Sequence, residues 1–135
     1  MVDKSKQGKK NKRIGADFER RVRLDLEGDG WIVSKWQNNV KEGKLVPAKP
    51  GRFRMMQTGF PDFIAILPRK NVGTIDGEMS YKIYGVECKT NGYLTKEEKE
   101  KCKWLLDNNV FSEILIAKKI KLGGRIHIEY NQFKK

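Results

Sequence analysis

The sequence predicts an α/β protein, a mixed central sheet flanked by helices, with the element order α-β-β-β-α-β-β. Three observations carry this expectation. Ile14, Phe18, Val22 and Leu26 recur every four residues with charges between them, the period of a helix that buries one face. PDFIAIL (61–67), YKIYGVEC (81–88) and SEILIAKK (112–119) are apolar and rich in β-branched and aromatic residues, as expected of buried strands. Between the last two of these runs, Thr95-Lys96-Glu97-Glu98 fits a capping box that opens a second helix.

Taken in order, residues 1–12 (MVDKSKQGKKNK) are lysine-rich with almost nothing to bury, and are expected to form a flexible basic arm. Residues 13–135 are expected to form a single domain. Its first helix runs from about Arg13 to Glu27 and is stopped by Gly28 and Gly30. WIVSKW (31–36) reads as a short strand. Residues 37–58 carry prolines, glycines and Lys41, Lys44, Lys49, Arg52 and Arg54. This long basic connection, expected to face phosphate, has room for an extra hairpin. Pro68 is expected to end the strand that starts at Pro61. After the strand 81–88, Asn91-Gly92 turns the chain into the capped helix, which ends near Asn108-Asn109. Gly123-Gly124 joins the strand 112–119 to a closing strand, RIHIEY (125–130). Trp31, Trp36 and Trp104 are expected in the core or an interface rather than as base-stacking platforms.

Composition narrows the function. The 135 residues hold 29 Lys+Arg against 17 Asp+Glu, a net charge of +12, which favours a polyanionic partner, nucleic acid before an anionic membrane. No apolar run approaches the roughly 20 residues needed to span a bilayer, and the basic N-terminus has no apolar stretch behind it to make a signal. One histidine, His127, leaves no two-histidine metal site, and Cys88 and Cys102 form no CxxC. Two cysteines without a signal point to a reducing, cytoplasmic compartment. The absence of a P-loop and of GxGxxG argues against a nucleotide cofactor. Carboxylates, lysine and a hard metal ion remain as catalytic means.

Asp62 sits at the start of one strand; Glu87 sits at the end of the next, with Lys89 two residues on. If the two strands pair antiparallel, Asp62 and Glu87 come side by side. A period of two then puts Glu87 and Lys89 on one face and Cys88 on the other. Two adjacent carboxylates repel unless a cation lies between them. Mg²⁺ suits such a pair, with the Cys88 backbone carbonyl as a third protein oxygen, and Mn²⁺ should substitute. An ion held there could supply an acidified water for in-line attack on a phosphodiester, oriented by Lys89. The ion should also depress the lysine pKa. Taken singly, an Asp after Pro is a common turn residue and a Glu-x-Lys pair is a common solvated face. Their combination at the ends of apolar strands, in a chain of this charge, carries the inference.

Gly59-Phe60-Pro61-Asp62 followed by Glu87-Cys88-Lys89 resembles the PD-(D/E)XK nuclease pattern. Gly15-Ala16-Asp17-Phe18-Glu19 resembles the Gly-x-x-x-Glu opening of archaeal Holliday junction resolvases, and GVECKTNGYLTKEEKEKCKWL resembles both those resolvases and the VRR-NUC nucleases. The resemblance spans roughly residues 13–119. It implies a restriction-endonuclease-like core with Asp62 and Glu87 as metal ligands, Lys89 as the catalytic lysine, and Glu19 as an accessory acid at the metal or its water. It also implies a homodimer. Three features depart from the pattern. Glu98 stands where Gln is frequent, and the capping box accounts for it without a catalytic role. Thr58-Gly59 abuts Pro61-Asp62 directly, which is nearer the VRR-NUC arrangement. The basic insert 37–58 fits neither family.

The expected activity is a metal-dependent DNA endonuclease, structure-specific and resolvase-like, in recombination or repair. The alternatives are a VRR-NUC-type nicking or flap enzyme, a restriction-type enzyme, and a basic nucleic-acid-binding protein without catalysis. Lys9, Lys10, Lys12 and Arg13, together with Lys49, Arg52 and Arg54 just before Asp62, are the expected DNA contacts. They would recognise backbone and shape rather than base sequence.

Overall fold

The computed structural model describes residues 4–48, 59–70 and 79–135. The elements are α1 (Lys4–Gly28), β1 (Ile32–Lys35), β2 (Asn38–Lys41), β3 (Lys44–Pro47), β4 (Phe63–Lys70), β5 (Met79–Cys88), α2 (Lys96–Asp107), β6 (Glu113–Leu122) and β7 (Arg125–Gln132). Five strands form a mixed sheet in the order β1-β4-β5-β6-β7, while β2 and β3 pair apart from it. Among the described residues only β5 and β6 run parallel, and α2 is their crossover. Such a connection needs a dozen or more residues, which the capped helix provides.

The two faces of the sheet are covered separately. Phe18, Val22 and Leu26 of α1 pack on Val33, Phe63, Ala65, Val86 and Ala117. On the other face, Cys102 and Leu105 of α2 pack with Val40, Phe60, Phe111, Ile114 and Ile116. The four-residue stripe on α1 therefore faces the sheet as its spacing requires. Tyr130 of β7 donates its hydroxyl to Asp25 of α1 at 2.6 Å, fastening the far edge of the sheet to the helix. Trp31 packs against the α1-side core and Trp36 and Trp104 against the α2-side core, the apolar role expected of them.

Three expectations are corrected. The flexible arm expected over residues 1–12 is helical from Lys4, continuous with α1. Lysine and glutamine are good helix formers, no breaker other than Gly8 intervenes, and the packed helix behind supplies the costly nucleus. Pro68 does not end β4, which continues to Lys70 with Pro68 opposite Tyr81. The β1 ladder stops at Ile66, so β4 is an edge beyond that point, where a missing N–H is tolerated. The expected order α-β-β-β-α-β-β becomes α-β-β-β-β-β-α-β-β, because the connection after β1 does form the extra hairpin for which it had room. Glu42 and Gly43 turn it with φ of 49° and 68°, the conformation of a tight two-residue hairpin turn.

Candidate active site

β4 and β5 are antiparallel neighbours with Phe63 opposite Val86, so Asp62, one residue before β4, faces Glu87 near the end of β5. The segment carrying Asp62 is held on both sides. Trp36 N–H donates to the Asp62 carbonyl at 3.0 Å, and Phe60 N–H donates to the Asn38 carbonyl at 2.8 Å. Gly59 lies so close to the Trp36 carbonyl that no Cβ would fit. Pro61 lies over Gly85 of β5, where a Cβ would come within 2.8 Å of its ring. Two glycines thus let the chain before β4 press against its neighbours and deliver the carboxylate.

Asp62 Oδ2 accepts the Cys88 N–H at 2.7 Å. Glu87 is 4 % exposed. Burial, followed by the hydrogen bond and charge of Asp62, holds its carboxyl well above the usual range. Glu19 of α1 lies beside the Asp62 carboxylate. Its pKa is also raised, first by burial and then by Asp62, while Lys35 opposes the rise. Cys88 points to the α1 side, as the strand period requires, and burial with the carboxylates around it keeps it a thiol.

Lys89 follows β5 directly, its side chain 27 % exposed, with Nζ 4.0 Å from Glu87 Oε2 and 2.5 Å from Glu98 Oε2. Burial alone would lower the lysine pKa; Glu98, Glu87 and Asp62 together outweigh it and raise the value. Burial would raise Glu98, but Lys89 and the Thr95 cap hold it below its ordinary value. The capping box itself is present as expected. Thr95 Oγ1 accepts Glu98 N–H at 3.1 Å, and Glu98 Oε1 accepts Thr95 N–H at 2.9 Å.

These groups line an open cleft of about 520 Å³ together with Asn39, Gly59, Phe60, Thr95, Glu97 and Lys101. Among the described residues no three His, Cys, Asp or Glu side chains are gathered closely enough to hold an ion alone. The donor set is instead two facing carboxylates, Asp62 and Glu87, with Cys88 beside them and Glu19 next to Asp62. Such a set of few, hard oxygens fits an ion that retains several waters, as Mg²⁺ does, better than one needing a full protein cage. A second groove of about 700 Å³, between the β2–β3 hairpin and α2, shares Glu97 and Lys101 with this cleft. Its Lys41, Lys44 and Lys101 are matched by Glu42, Glu97 and Glu100.

The basic candidates divide. Lys9, Lys10, Lys12 and Arg13 are all exposed on α1. At 100° per residue, Lys12 falls on the Glu19 face of the helix and Lys10 on the opposite one. Lys49, Arg52 and Arg54 lie outside the described residues. Sequence reasoning missed Glu98 as a neighbour of Lys89, because a capping box explains a glutamate at the third helical position completely. The residual signal was its position in the helix that follows Glu-x-Lys, where the resembling families place a polar side chain. Asn39 and Lys101 gave no signal, since each reaches the cleft through tertiary contact alone.

Comparison with protein-family models, with curated proteins and with solved structures returned no match. Among the described residues no helix is long and apolar enough to cross a membrane.

Proposed function

We propose that the protein is a Mg²⁺-dependent endodeoxyribonuclease, with Mn²⁺ able to substitute, that cuts branched DNA in the manner of the junction resolvases it resembles, acting in recombination or repair. The observation that carries the reading is the placement of Asp62 opposite Glu87, with Lys89 on the same side, in an open cleft at one sheet end of a protein with net charge +12. Two facing carboxylates, with Glu87 buried, are unfavourable as scaffolding and become reasonable where a cation offsets them.

In this reading Asp62, Glu87 and the Cys88 carbonyl would hold the ion, which would supply Lewis-acid stabilisation of phosphate charge and an acidified water. The Cys88 N–H orients the Asp62 carboxylate. Lys89 directs its ammonium at the attacking water or a phosphate oxygen. Glu19 completes the acidic side of the site. Exposed basic residues of α1, Lys12 foremost, neutralise backbone phosphates. Symmetric cutting of two strands by one small domain calls for a two-fold dimer, so a homodimer belongs to the proposal.

The test is a panel of four-way junction, flap, nicked duplex and linear duplex DNA, each incubated with Mg²⁺ or chelator. Paired, symmetry-related cuts in the junction, dependent on Mg²⁺, are expected. Equal cutting of flap or linear duplex would replace resolution by a nicking or flap activity. No metal-dependent cut in any DNA would leave a binding protein.

A further inference from the structure

We propose that Glu98 is a positioning residue, whose carboxylate holds the Lys89 ammonium beside Glu87 while the same side chain closes the N-terminal cap of α2. The inference rests on the reading of Lys89 as a catalytic group and adds to it a residue whose capping role had seemed sufficient.

The two oxygens of Glu98 have separate duties. Oε1 accepts the Thr95 N–H at 2.9 Å, and Oε2 pairs with Lys89 Nζ at 2.5 Å. Rotation to release one partner also disturbs the other. The side chain is 17 % exposed, so solvent competes weakly for it. Lys89 needs such a tether. It stands past the end of β5, on a flexible four-carbon stem with many rotamers to lose. Fixed to the first turn of a helix, its Nζ stays 4.0 Å from Glu87 Oε2.

The cap does not require the charge. Gln in the same position closes a capping box equally well, and Glu97 already supplies an acidic group to the first turn of α2. What the carboxylate adds over an amide is a strong acceptor for an ammonium. The chain of contacts Thr95–Glu98–Lys89 therefore carries the rigidity of α2 to the lysine.

The experiment compares Glu98→Gln with wild type in three measurements on the full chain: thermal melting, steady-state cleavage with Mg²⁺, and acetylation of Lys89 by an amine-reactive ester, read by peptide mass against Lys121. Gln should keep the melting temperature within about 2 °C, because the cap persists. Lys89 acetylation should rise about threefold or more as its tether weakens. The kcat should fall about tenfold to a hundredfold with KM within about twofold. Thr95→Ala should lower both kcat and melting temperature, and Thr95→Ser should restore both. Unchanged acetylation in Glu98→Gln overturns the tether. Raised acetylation with wild-type kcat overturns its role in positioning. If the wild-type protein cuts no DNA the nuclease reading falls, while the acetylation result still decides whether Glu98 holds Lys89.

Discussion

The Asp62 carboxylate accepts the backbone N–H of Cys88 at 2.7 Å, so the residue that begins the β4 side of the cleft is tied to the residue next to Glu87. One bond aligns the two carboxylates, and among the described residues no other backbone N–H donates to the side chain of Asp62 or Glu87. An arrangement that gathers acceptors and few donors attracts a cation.

Replacing either carboxylate should separate cleavage from binding. Asp62→Asn and Glu87→Gln are expected to lower kcat by at least about 10²–10³-fold. Both should retain DNA binding; Asp62→Asn should also tighten it in chelator by removing a negative charge facing phosphate, whereas Glu87 already holds a proton in the metal-free protein. Gel-shift titration beside a cleavage assay reads both effects; a parallel loss of binding would count against the assigned roles.

Glu87 should make the metal-free protein less stable as pH rises. Its folded pKa lies above the ordinary carboxylate value of 4.5, with burial the largest cause and Asp62 next. The folded state therefore holds a proton that the unfolded chain releases. The stabilisation is complete below about 4.5 and is lost as pH climbs toward the raised value. Glu87→Gln should remove this slope and raise stability in chelator at neutral pH by about 1–3 kcal/mol, some 3–10 °C in melting temperature. Mg²⁺ should stabilise wild type increasingly with pH and should leave Glu87→Gln nearly unmoved. Melting curves from pH 5 to 8, with and without Mg²⁺, check both signs.

Gly59→Ala should disable the site without touching a charged group. The added methyl would overlap the Trp36 carbonyl, forcing the backbone before Asp62 to shift. A loss of about 1–3 kcal/mol in stability is expected, with a fall in kcat of about a hundredfold from displacement of Asp62. Denaturant melts and cleavage rates measure the two losses; wild-type kcat would mean that the segment 59–62 does not set the carboxylate position.

Lys12 and Lys10 should differ in DNA binding although both are exposed lysines two residues apart. Lys12→Glu alters the helix face that carries Glu19 and should weaken binding and reduce the salt slope by about one. Lys10→Glu, on the opposite face, should change binding less than about twofold. Anisotropy titrations over a range of salt concentrations distinguish them, and equal effects would remove the orientation argument.

The proposed homodimer is checked by sizing chromatography with light scattering at working salt. A mass near twice 15.7 kDa is expected, and a monomer alone would remove symmetric double-strand cutting from the reading.

Local patterns were sufficient for much of the architecture. The stripe Phe18–Val22–Leu26, the apolar runs of β4, β5 and β6, and the Thr95–Glu98 box are all periodic or short-range signals, and the structure contains each as expected. Even the facing of Asp62 and Glu87 follows from strand period and antiparallel pairing. Three things depended on long-range packing. The basic N-terminus is helix rather than arm because a packed helix behind it extends the hydrogen-bond ladder. Pro68 remains in β4 because β1 is too short to demand its N–H. Glu98 meets Lys89 because the parallel crossover brings the start of α2 back over the end of β5. Sequence determines which residues can bury, cap and pair; only the folded chain decides which side chain stands across from another, since those distances arise from how the elements close on each other.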